Sequence, residues 1–357
     1  MSRKKIVIQL SLIAFLSIGF VTFLFLKSEY RMHRNNAFVR RYPHHPVNKI
    51  QDVPIGYNSY YFAGYFENKL YLGNTTAPLH LLEVNIKTRD TSHIMINLNE
   101  SDLPFNAVNV KLSPPYFFVM DGSVPCIYRG KINNWDAHLW MKDEVYFMNA
   151  IPIDSNRLYI KSIHLETKAS ILGLYSKVGN KKGKVTLNFD LLERQIDGVF
   201  DVDGMMVTEK ELSVLSYVYY YRNQYLILDK NLQMVQKNTT IDTVATANIS
   251  LSEPINNGEV KMNAPPLFIN KLAALSPKLM FINSNRLGRY EESKMLKQAS
   301  IIDVYNWRKK TYDFSFYFYN IENESLRELQ VYENYLVGLV GNSLSIYELK
   351  PQFFDTY

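Results

Sequence analysis

Beyond residue 55, short apolar runs alternate with polar turns along the chain. The runs are four to eight residues long and rich in Val, Ile, Tyr and Phe, as at 69–73, 116–120, 278–282 and 343–349, and Asn, Asp, Gly and Ser separate them. β-Branched and aromatic residues in short runs bounded by turn residues are strand signals. No long helical period follows residue 26, so the pattern predicts an all-β body.

The strands recur as a unit of strand, polar turn, strand and second turn. The second residue of successive units falls near Leu70, Tyr116, Leu158, Met206, Leu279 and Leu336. A period of ~45 residues with four strands is the signature of β-propeller blades. We therefore predict a six-bladed β-propeller over residues 56–350, with seven blades or a two-sheet sandwich as alternatives. The longest interval requires an insertion or a further blade near 240–266.

One long apolar segment precedes this body. Residues 6–26 contain no charged side chain, and as a helix they would reach ~31 Å, close to the ~30 Å hydrocarbon core of a bilayer. A cleaved signal peptide has a shorter apolar region of ~7–15 residues, and a buried soluble helix is the third alternative. We expect an uncleaved transmembrane anchor at 6–26, a tail at 1–5, a basic juxtamembrane spacer at 27–55 and a C-terminal tail at 351–357.

Basic residues concentrate around the anchor. The membrane-proximal set comprises Arg3, Lys4, Lys5, Lys27, Arg31, Arg34, Arg40 and Arg41. With Glu29 as the one acid, residues 1–41 carry a net charge of +7, so the chain total of +6 leaves −1 for residues 42–357. Nucleic-acid binding requires a basic face on the folded domain, whereas juxtamembrane charges attract anionic headgroups. The charge distribution therefore predicts a membrane partner and no nucleic acid.

The orientation of the anchor follows from its N-terminal tail. Basic residues flank the apolar run on both sides, so counting charges does not choose between the two orientations. Short basic N-terminal tails usually stay in the cytoplasm. We therefore expect a single-pass protein of the inner membrane with its C-terminal body in the periplasm.

The repeated units resemble the irregular propellers of the TolB, NHL and WD-repeat class. The resemblance covers about 56–350. It depends on the spacing of strands and turns in units such as KLYLGN followed by LHLLEVNIKT. It does not depend on signature residues, because the Trp135-Asp136 pair does not recur in each blade. An N-terminal helix, a basic spacer and a weak-repeat propeller together look like membrane-anchored envelope proteins of the Bacteroidota. The resemblance implies a fold and a compartment, and it implies no activity.

The turns after the first strand of each unit are candidate ligand-binding positions. In a propeller, loops of one type lie around the central channel on one face, and ligands bind there. The candidate residues are Asn74, His80, Asp121, His164, Arg286 and Arg289, and Glu209 is expected on the same face. The two arginines are suited to binding an anion. The competing interpretation is that solvated turns are polar by default.

Motifs for catalysis or metal binding are weak. Residues 201–204 resemble the start of a calcium loop, but Met205 stands where ligands would continue, so a blade-joining turn is the better interpretation. His44 and His45 lie in the expected spacer without a third ligand nearby in sequence. Cys126 lies in an apolar strand, where a cysteine is usually inert. We expect no metal and no cofactor.

Three functions remain open at this point, one of them a purely structural spacer. The favoured one is a membrane-tethered, non-enzymatic propeller that binds a protein, peptide or small ligand in the cell envelope. The alternative is a propeller enzyme, either a hydrolase or lyase, or a redox partner resembling the propeller subunit of amine dehydrogenases. Carboxylates or histidines with perturbed pKa values converging at the channel mouth would favour the enzyme, and a mouth lined by apolar and neutral groups would count against it.

Overall fold

The computed structural model describes residues 3–31, 34–99, 105–179, 181–209, 211–253 and 260–354. Its helices are α1 (Arg3–Arg31), α2 (Met295–Gln298) and α3 (Pro351–Phe354). Its strands are β1 (Val47–Pro54), β2 (Tyr60–Phe66), β3 (Lys69–Asn74), β4 (His80–Asn85), β5 (Thr91–Met95), β6 (Asn97–Leu98), β7 (Asn109–Ser113), β8 (Tyr116–Asp121), β9 (Cys126–Lys131), β10 (Asp136–Lys142), β11 (Asn149–Pro152), β12 (Arg157–Ile163), β13 (Ser170–Ser176), β14 (Lys184–Asn188), β15 (Gly204–Glu209), β16 (Val214–Tyr219), β17 (Gln224–Leu228), β18 (Met234–Thr239), β19 (Asn270–Leu275), β20 (Leu279–Ser284), β21 (Ala299–Asn306), β22 (Thr311–Tyr319), β23 (Leu326–Tyr332), β24 (Tyr335–Val340) and β25 (Ser343–Leu349).

These strands form six sheets, and each sheet is one blade of a propeller. In order outward from the centre, blade 1 is β2-β3-β4-β5, blade 2 is β7-β8-β9-β10, blade 3 is β11-β12-β13-β14, blade 4 is β15-β16-β17-β18, blade 5 is β19-β20-β21-β22 and blade 6 is β23-β24-β25-β1. The short β6 adds to β10 as a parallel edge strand. The first strands of most neighbouring blades contact one another around the centre. The predicted six-bladed propeller is therefore confirmed.

The ring closes through β1, which pairs with the C-terminal strand β25 from Val47 opposite Leu349 to Pro54 opposite Ser343. The propeller thus includes residues that were expected to form the spacer at 27–55. The outer strand of a blade has one edge exposed to solvent, so it needs fewer apolar residues than the inner strands. Proline is tolerated at an exposed sheet edge or at a strand end. The polar sequence VNKIQDVP therefore carries a weak strand signal.

The repeat markers identify the second strand in most blades. Leu70, Tyr116 and Leu279 lie in β3, β8 and β20, whereas Met206 lies in β15, the first strand of blade 4. The long interval holds an insertion between β18 and β19, where the described residues form one isolated bridge from Leu251 to Met262. The insertion adds no blade to the described part of the chain.

The hydrophobic core is divided among the six junctions between blades. One cluster of buried side chains fills each junction. At the junction of blades 1 and 2, for example, Tyr61 packs with Val110 and Phe117, and its hydroxyl accepts a hydrogen bond from the Val110 N–H at 2.7 Å. Because every blade is covered on both faces, apolar residues fill its central strands on both sides.

The apolar helix α1 contains one candidate membrane span, from Lys4 to Leu24, and none of that span is buried against the rest of the protein. A core helix of a soluble domain would be covered, so its exposure agrees with a membrane anchor or a signal sequence. By length and composition, α1 can cross a bilayer.

Candidate functional site

One face of the propeller carries the turns that follow the second strands and the links between blades. Successive strands of a blade are antiparallel, so these two kinds of connection lie at the same end of the ring. We call this end the loop face. It includes the predicted turns at Asn74, Asp121, His164 and Arg286, whereas Glu209 ends a first strand and lies at the opposite end. The expectation for Glu209 was wrong because the repeat unit of blade 4 was placed one strand too early.

A cavity of about 930 Å³ opens at the centre of the loop face. Residues from blades 1, 2, 3, 4 and 6 line it, and they combine aromatic and thioether groups with neutral polar groups. The apolar lining includes Phe62, Phe147, Met120 and Met206, and the polar lining includes Asn109, Asn149, Thr208 and Gln330. Its size falls within the range of ~300–1,000 Å³ typical of small-molecule sites.

Lys111 is the one charged residue among the described residues that line this cavity. Its Nζ donates a hydrogen bond to the carbonyl oxygen of Phe62 at 2.7 Å and lies 5.5 Å from the ring centre of Tyr61. Burial lowers the pKa of Lys111 below its ordinary value of 10.5, and the carboxylate of Glu328 opposes that effect. The amine is therefore held ready to donate to a polar or anionic group in the cavity.

The contacts of Lys111 follow from the open edge of an inner strand. The first strand of a blade has no partner on its channel side, so its backbone groups there need other partners. In β2, Lys111 of blade 2 donates to the Phe62 carbonyl, and the Phe62 N–H donates to Glu328 Oε2 of blade 6 at 2.9 Å. Side chains from both neighbouring blades thus form hydrogen bonds with the backbone of one residue in blade 1, and these bonds hold the cavity wall in place.

Among the described residues that line the cavity, the side chains able to act as an acid or base are Lys111 and Tyr332. Within the described part of the chain, no carboxylate and no imidazole lines it. The described residues hold no group of three or more His, Cys, Asp or Glu side chains placed to bind a metal. A second cavity of about 500 Å³ at the opposite end contains Glu209, Glu211 and Glu333 with Lys278. The loop-face cavity is suited to binding by shape, hydrogen bonds and one cation.

Asp121 organises the rim of the cavity. It is fully buried, and Oδ2 accepts hydrogen bonds from the N–H groups of Asn106 and Ala107, both at 2.7 Å. Its Oδ1 accepts bonds from the Ser123 N–H, the Ser123 hydroxyl and the Val124 N–H. Burial raises its pKa, but these hydrogen bonds prevail and lower it to about 2. Because the carboxylate is fully used, Asp121 positions the loops that line the cavity.

Asn74 has a similar structural role in blade 1. Its Oδ1 accepts bonds from the Thr76 N–H at 2.9 Å and the Thr76 hydroxyl at 2.8 Å, which closes an Asx turn. Of the residues in this turn, Thr75 and Pro78 line the cavity. Asn74 therefore shapes the rim while its neighbours face the cavity.

The two predicted histidines lie on the loop face away from the cavity lining. His80 Nε2 and His93 Nδ1 are 2.8 Å apart and share a hydrogen bond. Burial and the neighbouring His93 ring lower the pKa of His80. His164 Nδ1 lies 3.1 Å from the hydroxyl of Thr167 in an exposed turn. The structure does not bring the histidines together with Asp121 in one site.

The two predicted arginines contact the segment that follows α1. Arg286 is buried and forms an ion pair with Asp242 at 3.2 Å. The Nε of the exposed Arg289 donates to the carbonyl oxygen of Asn36 at 2.8 Å. Arg286 is buried with its partner whereas Arg289 is exposed, so the two arginines do not form one anion site.

The basic residues that were predicted to lie near the membrane divide into three groups. Lys4 and Lys5 are exposed at the start of α1, and the side chains of Arg3, Lys27 and Arg31 lie outside the described residues. Arg34 and Arg41 donate to backbone carbonyl oxygens of blade 5 or its loops. Arg40 differs from the expectation of a membrane-facing residue. Its side chain is fully buried and forms ion pairs with Asp303 at 2.6 Å and Glu291 at 2.8 Å.

Comparison with known proteins supports the fold. No protein-family model matches the chain, and no curated protein matches it. Among solved structures, it is similar to a member of the DUF4221 family from Bacteroides vulgatus, with 11% identity, a TM-score of 0.54 and coverage of 85% of this chain and 97% of that one. It is also similar to a catalytically inactive virginiamycin B lyase from Staphylococcus aureus with quinupristin, with 8% identity, a TM-score of 0.45 and coverage of 84% and 99%. The predicted resemblance to weak-repeat propellers, including one from the Bacteroidota, is confirmed at the level of fold.

Sequence reasoning missed Lys111 and Glu328. Each is a charged residue in the first strand of a blade, within NVKLS and LRELQVY respectively. A charged residue in an otherwise apolar inner strand is the signal that could have found them, because such a position faces either the channel or a neighbouring blade. Using that signal requires knowing which strand of each unit is innermost.

Proposed function

We propose that this protein is a membrane-tethered, non-enzymatic propeller that binds a small ligand or short peptide in its loop-face cavity. The observation that carries the proposal is the cavity of about 930 Å³ whose described lining combines apolar groups, neutral amides and hydroxyls, and the single cation Lys111. A ligand with an apolar part and an anionic or carbonyl group fits this lining. Of the six turn residues named from the sequence, Asn74 and Asp121 would then shape the loops around it.

The charge of Lys111 makes this binding sensitive to pH. An anion in the cavity favours the protonated amine, so it would raise the lowered pKa of Lys111. Affinity for an anionic ligand should therefore fall as pH rises through the pKa of Lys111, and this fall begins below 10.5. A neutral ligand would show no such dependence. The slope of affinity against pH thus reports the charge of the ligand.

The alternative of a hydrolase or lyase has less support. Such chemistry commonly uses a positioned acid and base within hydrogen-bond reach of the substrate. The described lining offers Lys111 and neutral groups, and Glu328 is engaged with the Phe62 N–H. The groups in the described lining therefore support ligand binding better than catalysis.

We further propose that α1 stays uncleaved in the inner membrane and that the propeller lies in the periplasm. An impermeant thiol reagent tests this in spheroplasts carrying Leu165→Cys, a position 81% exposed in a loop-face turn. Labelling of intact spheroplasts is expected. Labelling only after lysis would place the propeller in the cytoplasm, and a shortened N-terminus in the mature protein would show that α1 is a signal peptide.

Ligand selection tests the binding proposal. Full-length protein in nanodiscs is incubated with an extract of envelope small molecules and peptides, washed, and analysed for retained compounds by mass spectrometry. The blocking variant is Asn149→Trp, which places a bulky side chain in the cavity, and the matched control is Asn48→Trp on the outer strand β1. The wild type and the control should retain a compound that the blocking variant loses. Equal retention by all three proteins would contradict binding in the cavity, and conversion of the compound would contradict the non-enzymatic function.

A further inference from the structure

The link between the anchor and the propeller is very short. α1 ends at Arg31, and Arg34 already forms a parallel bridge with Leu287 in the loop between β20 and β21. Three extended residues span at most ~11 Å. The helical residues from Leu26 to Arg31 add ~8 Å, so Arg34 lies within ~19 Å of the hydrocarbon edge. The polar headgroup region occupies ~5–8 Å of that distance.

The segment after the link is fixed to blade 5. The Asn35 N–H donates to the Leu287 carbonyl oxygen at 2.8 Å, and the Arg289 N–H donates to the Phe38 carbonyl oxygen at 3.0 Å. The Asn35 amide also donates to Asp242 Oδ1 at 3.1 Å. These bonds hold residues 34–42 against the loops of one blade, so the segment is not a free tether.

Arg40 is the strongest of these attachments. Its guanidinium donates to both oxygens of Asp303, to Glu291, to the carbonyl oxygen of Arg286 and to the hydroxyl of Ser284. With no exposed side-chain surface and every N–H direction engaged, it joins the segment to β20, β21 and the loop between them. A buried, fully bonded guanidinium resists local opening because detaching it would leave two carboxylates without their partner.

The surface beside this attachment has the composition of a membrane-contacting face. Tyr290 is 76% exposed and Val39 is 52% exposed. Arg289, Lys294 and Lys297 are exposed next to them. We call these five residues the blade-5 patch. The exposed Glu292 pairs with Lys294 and lowers the net charge of this surface to +2. Tyrosine favours the membrane–water interface, and lysine and arginine near a bilayer attract anionic headgroups at ~1 kcal/mol each.

We infer that the blade-5 patch rests on the anionic phospholipid surface of the membrane that holds α1, and that this contact turns the loop face and its cavity toward the bilayer. The inference rests on the proposed membrane tethering and deepens it, because it fixes which face of the ring lies on the membrane. A ligand would then reach the cavity from the membrane side. The opposite end of the ring, with its acidic second cavity, faces away from the lipid.

Position-specific quenching tests this orientation. A fluorophore is attached to Tyr290→Cys in the patch or to Lys278→Cys, the matched control in the turn between β19 and β20 at the opposite end of blade 5. The native Cys126 is buried, and burial raises its pKa to about 11, so it competes little for the label. The labelled full-length proteins are placed in phosphatidylglycerol vesicles that carry a nitroxide on the lipid headgroup.

The two labels should differ clearly. β20 has six residues and spans ~20 Å, so quenching at position 290 should exceed that at position 278 by roughly threefold or more. Equal quenching, or stronger quenching at position 278, in protein that floats with the vesicles would overturn the orientation while leaving the tether intact. Protein that fails to float with the vesicles would overturn the tether itself, so the two failures are distinguishable.

Discussion

Replacing Asp121 with asparagine tests whether this residue builds the cavity rim or binds a ligand. The carboxylate accepts five hydrogen bonds, two on Oδ2 from Asn106 and Ala107 and three on Oδ1 from Ser123 and Val124. An asparagine keeps one acceptor oxygen and turns an NH₂ group toward the donors on the other side. At least two backbone N–H groups then lose their partner, and the loops that line the cavity lose their common anchor.

The magnitude follows from the pKa and the lost bonds. A fall from an ordinary value of 3.8 to about 2 corresponds to roughly 2.5 kcal/mol of stability from the ionised form. Each buried N–H left without a partner costs a further ~1–3 kcal/mol. These contributions overlap, so we expect Asp121→Asn to lower the free energy of unfolding by about 3–5 kcal/mol.

Denaturant unfolding of the full-length protein in micelles measures this change. The control is Asp90→Asn in an exposed turn, and its free energy of unfolding is expected within ~0.5 kcal/mol of the wild type.

The pH dependence has a definite sign. Because folding lowers the pKa of Asp121, its stabilisation is complete above the unfolded value near 4 and is lost as pH falls through about 2. About half of the ionisation contribution should be gone at pH ~3. A loss below ~1 kcal/mol, or a difference from the wild type that does not shrink at low pH, would refute this account of Asp121.

Three further variants test other parts of the structure. Arg40→Met leaves two buried carboxylates unpaired and should destabilise the protein by ~3–5 kcal/mol in thermal unfolding, whereas the exposed Arg41→Met should cost under ~1 kcal/mol; equal losses would contradict the buried network. Lys111→Met should weaken an anionic ligand by roughly 10–100-fold in calorimetric titration and abolish the fall in affinity at high pH, and unchanged affinity would remove Lys111 from the site. Gly73→Ala places a Cβ 2.3 Å from the Tyr61 ring and should cost ~1–3 kcal/mol, and a neutral effect would mean that this ring moves freely.

The fold was accessible from the sequence because blade strands are buried on both faces and therefore carry dense apolar signals. Leu70 and Leu279 each mark a second strand whose neighbours are almost all buried. The outer strand β1 was missed because an edge strand with one solvated side needs few apolar residues. In blade 4 the marker Met206 fell on a first strand because Met205, Met206 and Val207 give that strand an apolar run of its own. Periodicity alone therefore did not show which strand of the unit comes first.

The candidate site was less accessible for a physical reason. Polar turn residues such as Asp121 look alike in sequence whether they bind a ligand or bind the neighbouring backbone. Only the hydrogen-bond partners seen in the structure distinguish these two roles. Arg40 looks like a membrane-facing charge until its partners Asp303 and Glu291 are seen, more than 250 residues away in the chain. Lys111 reaches the cavity only because three blades meet there. Each of these roles depends on contacts between distant segments.

Protection of Lys111 from an amine-reactive reagent is the most direct test of ligand binding in the loop-face cavity. Full-length protein in nanodiscs is labelled at neutral pH with and without the selected ligand, and labelling is read by peptide mass spectrometry at Lys111 and at the exposed Lys278 as an internal control. We predict that saturating ligand reduces labelling of Lys111 and leaves Lys278 unchanged. Undiminished labelling of Lys111 at saturating ligand would contradict the account, because the ligand would then bind elsewhere on the protein.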